Sequence, residues 1–134
     1  MPLTYRIDPE ASLLLITGHG VITQAERVDG LRTWLSDPAF KPGLDTLCDF
    51  SETLSTPTLD ELRELVAIVQ EHSEAIGRVR LAIVTSRPIT FGIARVFEAL
   101  ADVEGAPLQV KVFFERKPAW AWLRPGAPDR GSPS

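Results

Sequence analysis

Residues 12–17, which read SLLLIT, decide the fold of this chain. Four consecutive apolar side chains in so short a run indicate a strand covered on both faces, because a strand with one wet face alternates apolar and polar residues. Residues 3–7 form another strand-like stretch, and Asp8, Pro9 and Glu10 between the two are typical of a turn. The sequence therefore predicts an N-terminal hairpin whose second strand lies in a sheet with helices on both sides.

Beyond the hairpin, helix and strand signals alternate. Thr23 with Glu26 and Thr58 with Glu61 have the capping-box pattern, in which a hydroxyl and a carboxylate satisfy free backbone amides of the first turn. The predicted helices cover residues 23–37, 58–77, 88–103 and 118–123, and the predicted strands 44–50, 80–85 and 108–114. The order β-β-α-β-α-β-α-β-α predicts an α/β fold with a mixed five-stranded sheet, a hairpin followed by three right-handed crossovers.

Composition narrows the class of protein. The chain has 134 residues, 44% of them hydrophobic and 24% charged, which is typical of a globular domain. We expect one domain over residues 1–123 and a flexible tail over 124–134, which is rich in proline, glycine and serine. The net charge of -4 and the scattered basic residues argue against nucleic acid as a partner.

The single cysteine, Cys48, lies in an apolar stretch, so we expect a small buried side chain and no internal disulfide. A reducing cytoplasm fits this pattern. The N-terminus lacks the features of a signal peptide, and no apolar run approaches the roughly 20 residues that span a bilayer. The sequence therefore predicts a cytoplasmic protein without a transmembrane segment.

Motifs for cofactors, metals and catalysis are missing from the sequence. Gly18-His19-Gly20 lacks the third glycine of a dinucleotide fingerprint, and a role in the turn after the strand is favoured. His19 and His72 have no partner at metal-ligand spacing, and structural or surface roles are favoured for both. We expect no cofactor, no metal and no enzymatic activity, because no nucleophile, base and orienting group come together.

Residues 49–58 carry several hydroxyl groups between the end of a strand and the start of a helix, where anions are favoured. A phosphorylated hydroxyl there would act as a switch. The neighbouring carboxylates would repel a phosphate, and Ser or Thr before a helix is ordinarily a cap, which is the favoured interpretation.

The helix predicted after Pro88 is more apolar than one sheet face requires. At 100° per residue, Arg95, Glu98 and Asp102 form one narrow polar band, and apolar or small residues fill the rest of the circumference. The surplus surface would be covered by a neighbouring helix, by a second copy of the chain or by an apolar ligand, and the neighbouring helix is favoured.

Several segments together resemble the SpoIIAA-like branch of the STAS superfamily, small domains related to anti-sigma-factor antagonists and compared with the lipid-binding CRAL-TRIO fold. The likeness covers roughly residues 3–123. It is carried by Asp37-Pro38 with Pro42-Gly43, Cys48-Asp49-Phe50-Ser51, Arg80-Leu81-Ala82-Ile83-Val84, Phe91-Gly92-Ile93-Ala94-Arg95 and Ala119-Trp120-Ala121-Trp122-Leu123. The resemblance implies a non-enzymatic domain that contacts proteins or binds a small apolar molecule.

The same resemblance implies a place for a phosphoacceptor. The antagonists carry a phosphorylated serine in an Asp-Ser-Ser-Gly motif at a helix start, whereas this chain has Ser55-Thr56-Pro57-Thr58 at the comparable place. Ser55 is the nearest candidate, followed by Ser51 and Thr58.

Two functional hypotheses result. The first is a regulatory or interaction module that presents residues 49–58 and the helix over 91–103 to a protein partner or to a second copy. The residues of that candidate surface are Asp49, Phe91, Gly92, Ile93, Arg95, Val96 and Phe97. The alternative is a domain for a small apolar ligand or lipid, in a pocket lined by Phe91, Ile93, Phe97 and Trp34.

Overall fold

The computed structural model describes residues 2–129. It contains five strands and five helices in an order close to the predicted one. The strands are β1 (Leu3–Asp8), β2 (Leu13–Gly20), β3 (Asp45–Thr53), β4 (Val79–Val84) and β5 (Leu108–Phe113). The helices are α1 (Gln24–Leu35), α2 (Leu59–Glu71), α3 (Ser73–Ile76), α4 (Pro88–Val103) and α5 (Arg116–Leu123).

The five strands form one mixed sheet in the order β1-β2-β3-β4-β5. β1 runs antiparallel to β2, and β2 to β5 are parallel to one another. The register places Tyr5, Ile16, Cys48, Ile83 and Val112 in one row across the sheet. The mixed five-stranded sheet predicted from the sequence is therefore confirmed.

Helices cover both faces of the sheet. The crossover helices α1, α2 and α4 share one face, since residues of all three line the same space against the sheet. This is the arrangement that right-handed crossovers to successively added strands produce. There Leu14 and Ile16 of β2 belong to one core cluster. On the other face Leu13 and Leu15 pack with Trp120 of α5. The unbroken apolar run in β2 thus reflects burial on both faces.

The two predicted capping boxes start α1 and α2. The Thr23 hydroxyl accepts a hydrogen bond from the Glu26 amide at 3.2 Å, and the Glu26 carboxylate accepts one from the Thr23 amide at 2.9 Å. Thr58 and Glu61 form the same pair of bonds, at 3.2 and 2.8 Å. These bonds satisfy amides that have no partner within the helix.

The long helix predicted to continue to Gly77 is interrupted at His72. The backbone of His72 leaves the helical region (φ -110°, ψ 20°), which ends α2 at Glu71, and α3 begins at Ser73. The His72 ring nitrogen Nδ1 lies 2.9 Å from the carbonyl oxygen of Ile68, the acceptor that the His72 amide would use in a continuous helix. The amide bonds to Val69 instead, at 3.1 Å.

Other boundaries differ by a few residues. β3 extends beyond the predicted end at Phe50, because Glu52 and Thr53 pair with His19 and Gly20 after an irregularity in β2. α1 ends at Leu35, and α5 begins two residues before Pro118.

Part of the predicted flexible tail lies against the domain. The Arg124 guanidinium bonds to Asp45 at 2.7 Å and to the Ala11 carbonyl at 2.8 Å. The Trp120 indole donates to the carbonyl of Ala127 at 2.9 Å, and Arg116 bonds to Asp129 at 2.6 Å. Residues 130–134 of the tail lie outside the described residues. Within residues 2–129, no helix is long and apolar enough to cross a membrane.

Candidate functional site: an apolar cavity beneath the helical layer

A cavity of about 200 Å³ lies between the sheet and the helices α1, α2 and α4. Its floor is the central part of the sheet. Its walls include two aromatic side chains, Trp34 of α1 and Phe97 of α4. The floor consists of Leu14, Ile16, Thr46, Cys48, Leu81 and Ile83. We refer to this space as the cavity.

The position of α2 explains why space remains. The backbone of α2 approaches α1, α3 and α4 more closely than it approaches the strands. Beneath it, the side chains of Thr46, Cys48 and Ala94 are too small to fill the gap between sheet and helices. Leu62 and Leu65 of α2 form the roof. Apolar cavities of this order of size accept small apolar molecules.

The hydroxyl groups on the cavity wall form hydrogen bonds with other groups of the protein. Thr53 donates to the carbonyl of Phe50 at 2.8 Å. The Ser55 hydroxyl accepts from the Ile22 amide at 2.8 Å and donates to the Ile22 carbonyl at 3.2 Å. The hydroxyls of Thr90 and Thr56 lie 3.0 Å apart. The cavity therefore offers a ligand mainly apolar contacts, which select for size and shape.

Arg27 is the charged residue on the cavity wall. Its guanidinium donates to Gln24 at 3.3 Å and lies 3.8 Å from the Glu61 carboxylate. Burial lowers the pKa of Arg27 from its ordinary value, while Glu61 and Glu26 act in the opposite direction. The contacts with Gln24 and Glu61 join the first turns of α1 and α2 at the rim of the cavity.

Cys48 lies at the centre of the floor. Its side chain is buried, as the sequence predicted. Burial raises the pKa of the Cys48 thiol to about 12, and the neighbouring Asp49 carboxylate adds to the effect. The thiol is therefore neutral at physiological pH and behaves as a small apolar group.

The predicted pocket residues separate into two groups. Trp34, Ile93 and Phe97 line the cavity. Phe91 is outside the lining and stacks on Phe114, with ring centroids 4.1 Å apart and ring planes 7° from parallel. The sequence places Phe91 near the start of the helix, but it does not reveal this partner at the end of β5.

The outer side of α4 faces away from the cavity. Gly92, Arg95 and Val96 are exposed there. The Arg95 guanidinium lies 3.5 Å from Glu98 of the same helix. The candidate surface residues on α4 thus belong to two places, since Ile93 and Phe97 face the cavity while Gly92, Arg95 and Val96 face solvent.

Asp49, in the middle of β3, is held in an ionic network. Its carboxylate accepts hydrogen bonds from the Ser51 hydroxyl at 2.6 Å and from the Arg116 guanidinium at 3.0 Å. Burial on its own would raise the pKa of Asp49, but the hydrogen bonds from Ser51 and the charge of Arg116 lower it. Arg116 also bonds to Asp129, so the network connects β3, α5 and the tail.

The three phosphoacceptor candidates all make hydrogen bonds. Ser51 bonds to Asp49, Ser55 bonds to Ile22, and Thr58 caps α2. The phosphoacceptor role stays a prediction. The Thr56–Thr90 contact shows that the loop after β3 meets the first turn of α4.

The two histidines lie apart from the cavity wall. His19 Nδ1 lies 3.2 Å from Glu52 at the surface, and His72 bonds to the Ile68 carbonyl. Packing explains the glycine at position 18, because a Cβ there would lie only 2.9 Å from side-chain atoms of Ile22, Phe50 and Thr53. Among residues 2–129, no group of three or more His, Cys, Asp or Glu side chains is arranged to hold a metal.

Comparison with known proteins identifies the fold. No family model matches the sequence, and no curated protein matches it. Among solved structures, the chain is similar to an uncharacterised protein of the DUF3478 family with a SpoIIAA-like fold, from Shewanella loihica PV-4. The two are 18% identical, the match covers 90% of this chain and 93% of that one, and the TM-score is 0.59. The chain has a SpoIIAA-like fold, as its sequence resemblance predicted.

Proposed function

We propose that this chain is a non-enzymatic domain that binds a small apolar molecule in the cavity. The observation that carries the proposal is the space of about 200 Å³ between helices and sheet, whose lining is almost wholly apolar. Binding sites for small molecules are concave and mostly apolar, with few polar groups. The cavity has these properties and is lined in part by α4, the helix that the sequence singled out as unusually apolar.

The size of the cavity supports binding of a small molecule. A space of about 200 Å³ is of the order of size at which an apolar cavity accepts a small apolar compound. A ligand that fills it gains contacts with the apolar lining and leaves water itself. The loss of the ligand's translational and rotational freedom opposes this gain.

A binding role without catalysis is supported by the chemistry of the lining. The Cys48 thiol is neutral because of burial, and the hydroxyls of Thr53 and Ser55 are bonded to backbone groups. The histidines His19 and His72 are outside the lining. A nucleophile with an adjacent base, which covalent catalysis requires, is therefore not assembled from the residues on this wall.

A cytoplasmic setting fits the proposal, because the one cysteine in the sequence is a free, buried thiol on the cavity floor. A reducing compartment keeps such a thiol from oxidation.

The test uses the neutral apolar dye N-phenyl-1-naphthylamine, whose fluorescence rises in apolar surroundings. The wild-type protein should bind one dye with saturation. Ile93→Trp, which places a bulky indole ring in the cavity, should weaken binding by about tenfold or more, because the indole would occupy the space that the dye needs. Val96→Trp makes the same ring change on the outer side of α4 and should leave dye binding unchanged. Unsaturable dye binding, or equal effects of the two variants, would contradict the proposal.

A second role, contact with a protein partner in a regulatory or interaction module, is favoured by a separate observation. Val96 and Val103 on α4 are 37% and 80% exposed, although the helix lies in the layer that covers the sheet. Exposed apolar side chains along one face of a helix are typical of a docking surface. Val96→Glu should abolish contact through this face while leaving the dye site intact, as measured by sedimentation together with dye titration.

A further inference from the structure

The exposed apolar residues of α4 follow a regular spacing. Ile89, Gly92, Val96, Ala99 and Val103 are separated by three, four, three and four residues, and all five are exposed. Ile89, Val96 and Val103 are 63%, 37% and 80% exposed. We call these five residues the α4 stripe.

This spacing is the heptad repeat of helices that pack against other helices. The stripe spans about 21 Å at 1.5 Å per residue. Thr90, Ala94 and Ala101 are the buried residues of α4, and they lie on the side turned to the sheet. The stripe therefore lies on the side of α4 that faces away from the core of its own subunit, and it is available for a helix from outside.

We propose that the α4 stripe is covered by α4 of a second copy of this chain, packed antiparallel in a symmetric dimer. This inference rests on the proposed role in protein contact and names the partner, and it is independent of the ligand in the cavity. In an antiparallel heptad pair, Val96 lies beside the partner's Ala99, and Val103 lies beside the partner's Gly92. Val96 and Val103 thus each meet a small residue of the partner.

Gly92 and Ala99 favour close approach of the two helices. A Cβ added at Gly92 would meet no atom within 4 Å, so the space beside it is open for an incoming side chain. Val103 supplies a side chain of suitable size from the partner. Small residues alternating with β-branched ones bring helix axes near one another and fill the seam.

Charge decides between the antiparallel and the parallel arrangement. Arg95 and Asp102 flank the α4 stripe on the same side, and both are exposed. Antiparallel pairing places Arg95 beside the partner's Asp102, and symmetry repeats this contact, so one dimer has two ion pairs. Parallel pairing would place Arg95 beside the partner's Leu100, so neither Arg95 nor Asp102 would have an opposite charge on the partner helix. The charge pattern therefore favours antiparallel self-association.

The interface area sets the expected strength. One pair of helices this long buries less than the roughly 800 Å² per partner of a standard interface, so the dimer should be weak, with a dissociation constant on the order of 10 to 100 µM. Sedimentation equilibrium over a concentration range that brackets this value should show the 14.8 kDa chain converting to a dimer. A chain that stays monomeric at about 1 mM overturns the inference.

Charge reversal supplies the decisive comparison. Arg95→Asp and Asp102→Arg each turn both ion pairs into repulsions and should weaken self-association by about tenfold or more. When the two single variants are mixed, they should form a heterodimer with near wild-type affinity, because both contacts between residues 95 and 102 are again between opposite charges. The double variant R95D/D102R should likewise regain self-association. Single variants that dimerise as the wild type does, or a mixture that fails to associate, overturn the antiparallel arrangement.

Two further measurements separate this inference from the proposed ligand binding. Thermal melting followed by circular dichroism verifies that each variant is folded. Titration with N-phenyl-1-naphthylamine should give the same affinity for the wild type and for both charge variants. A monomeric protein that binds the dye refutes the dimer and leaves the ligand proposal intact, whereas a dimer that binds no dye refutes the ligand proposal alone.

Discussion

Enlarging Ala94 tests whether the cavity beneath α2 is real. Ala94 is 7% exposed and lines the cavity, so Ala94→Leu directs three additional carbon atoms into empty space. Each buried methylene contributes about 0.8 kcal/mol, and the free energy of unfolding should therefore rise by up to about 2 kcal/mol. In a close-packed site the same change would cost about 1 to 3 kcal/mol. The sign of the effect thus reports whether the space exists.

Ala101 provides the matched control. It lies one heptad later on the same face of α4, is fully buried, and is outside the cavity lining. Ala101→Leu should lower the free energy of unfolding by about 1 to 3 kcal/mol through overpacking. Urea denaturation of both variants, with unchanged m-values, gives the comparison. Equal destabilisation by the two substitutions would refute the account of a cavity beneath α2.

Three further predictions concern other contacts. Because the pKa of Cys48 is raised to about 12, the stability linked to this thiol is present below about pH 9 and is lost as the pH rises towards 12. Above pH 9 the free energy of unfolding of the wild type, relative to that of Cys48→Ala, should fall by about 1.4 kcal/mol per pH unit. Urea denaturation at several pH values measures this difference. Arg116→Met leaves the half-buried Asp49 carboxylate without the cation that it contacts. The substitution should lower the free energy of unfolding by about 1 to 3 kcal/mol at neutral pH. Because the lowered pKa of Asp49 makes its contribution disappear at low pH, the gap between Arg116→Met and the wild type should narrow below about pH 4, and a constant gap would contradict this assignment. Ser55→Ala removes the acceptor of the Ile22 amide and should lower the free energy of unfolding by about 1 to 2 kcal/mol, measured by urea denaturation.

The elements that the sequence predicts well are those determined by neighbouring residues. The capping boxes at Thr23 and Thr58 are predictable because the capping threonine and its glutamate lie within one helical turn. Their geometry does not depend on the rest of the fold. The run over residues 12–17 indicates burial on both faces because alternation is a property of a single strand. Such signals predict the order of the elements along the chain and the mixed sheet.

The features that escaped prediction depend on contacts between distant segments. The break at His72 involves its ring and the Ile68 carbonyl, and the extension of β3 depends on pairing beyond an irregularity in β2. Phe91 stacks on Phe114, which follows β5, so helical periodicity could not place it.

The cavity escaped prediction for a related reason. Its volume depends on the distance between α2 and the sheet, which no periodicity encodes. One signal was available in the sequence: Thr46 and Cys48 are small side chains at alternating positions of a central strand, on the face that the crossover helices cover. Small residues there, together with Ala94 opposite, leave space that larger residues would fill.

The claim that this domain binds a small apolar molecule is tested most directly by native mass spectrometry of the full chain, purified from its own host without detergent. The folded protein should be heavier than the 14.8 kDa chain by the mass of one small molecule per subunit. That mass should disappear on denaturation, and an apolar compound of the same mass should appear in an organic extract. A folded protein at the mass of the bare chain, which also fails to bind N-phenyl-1-naphthylamine with saturation, would contradict the claim.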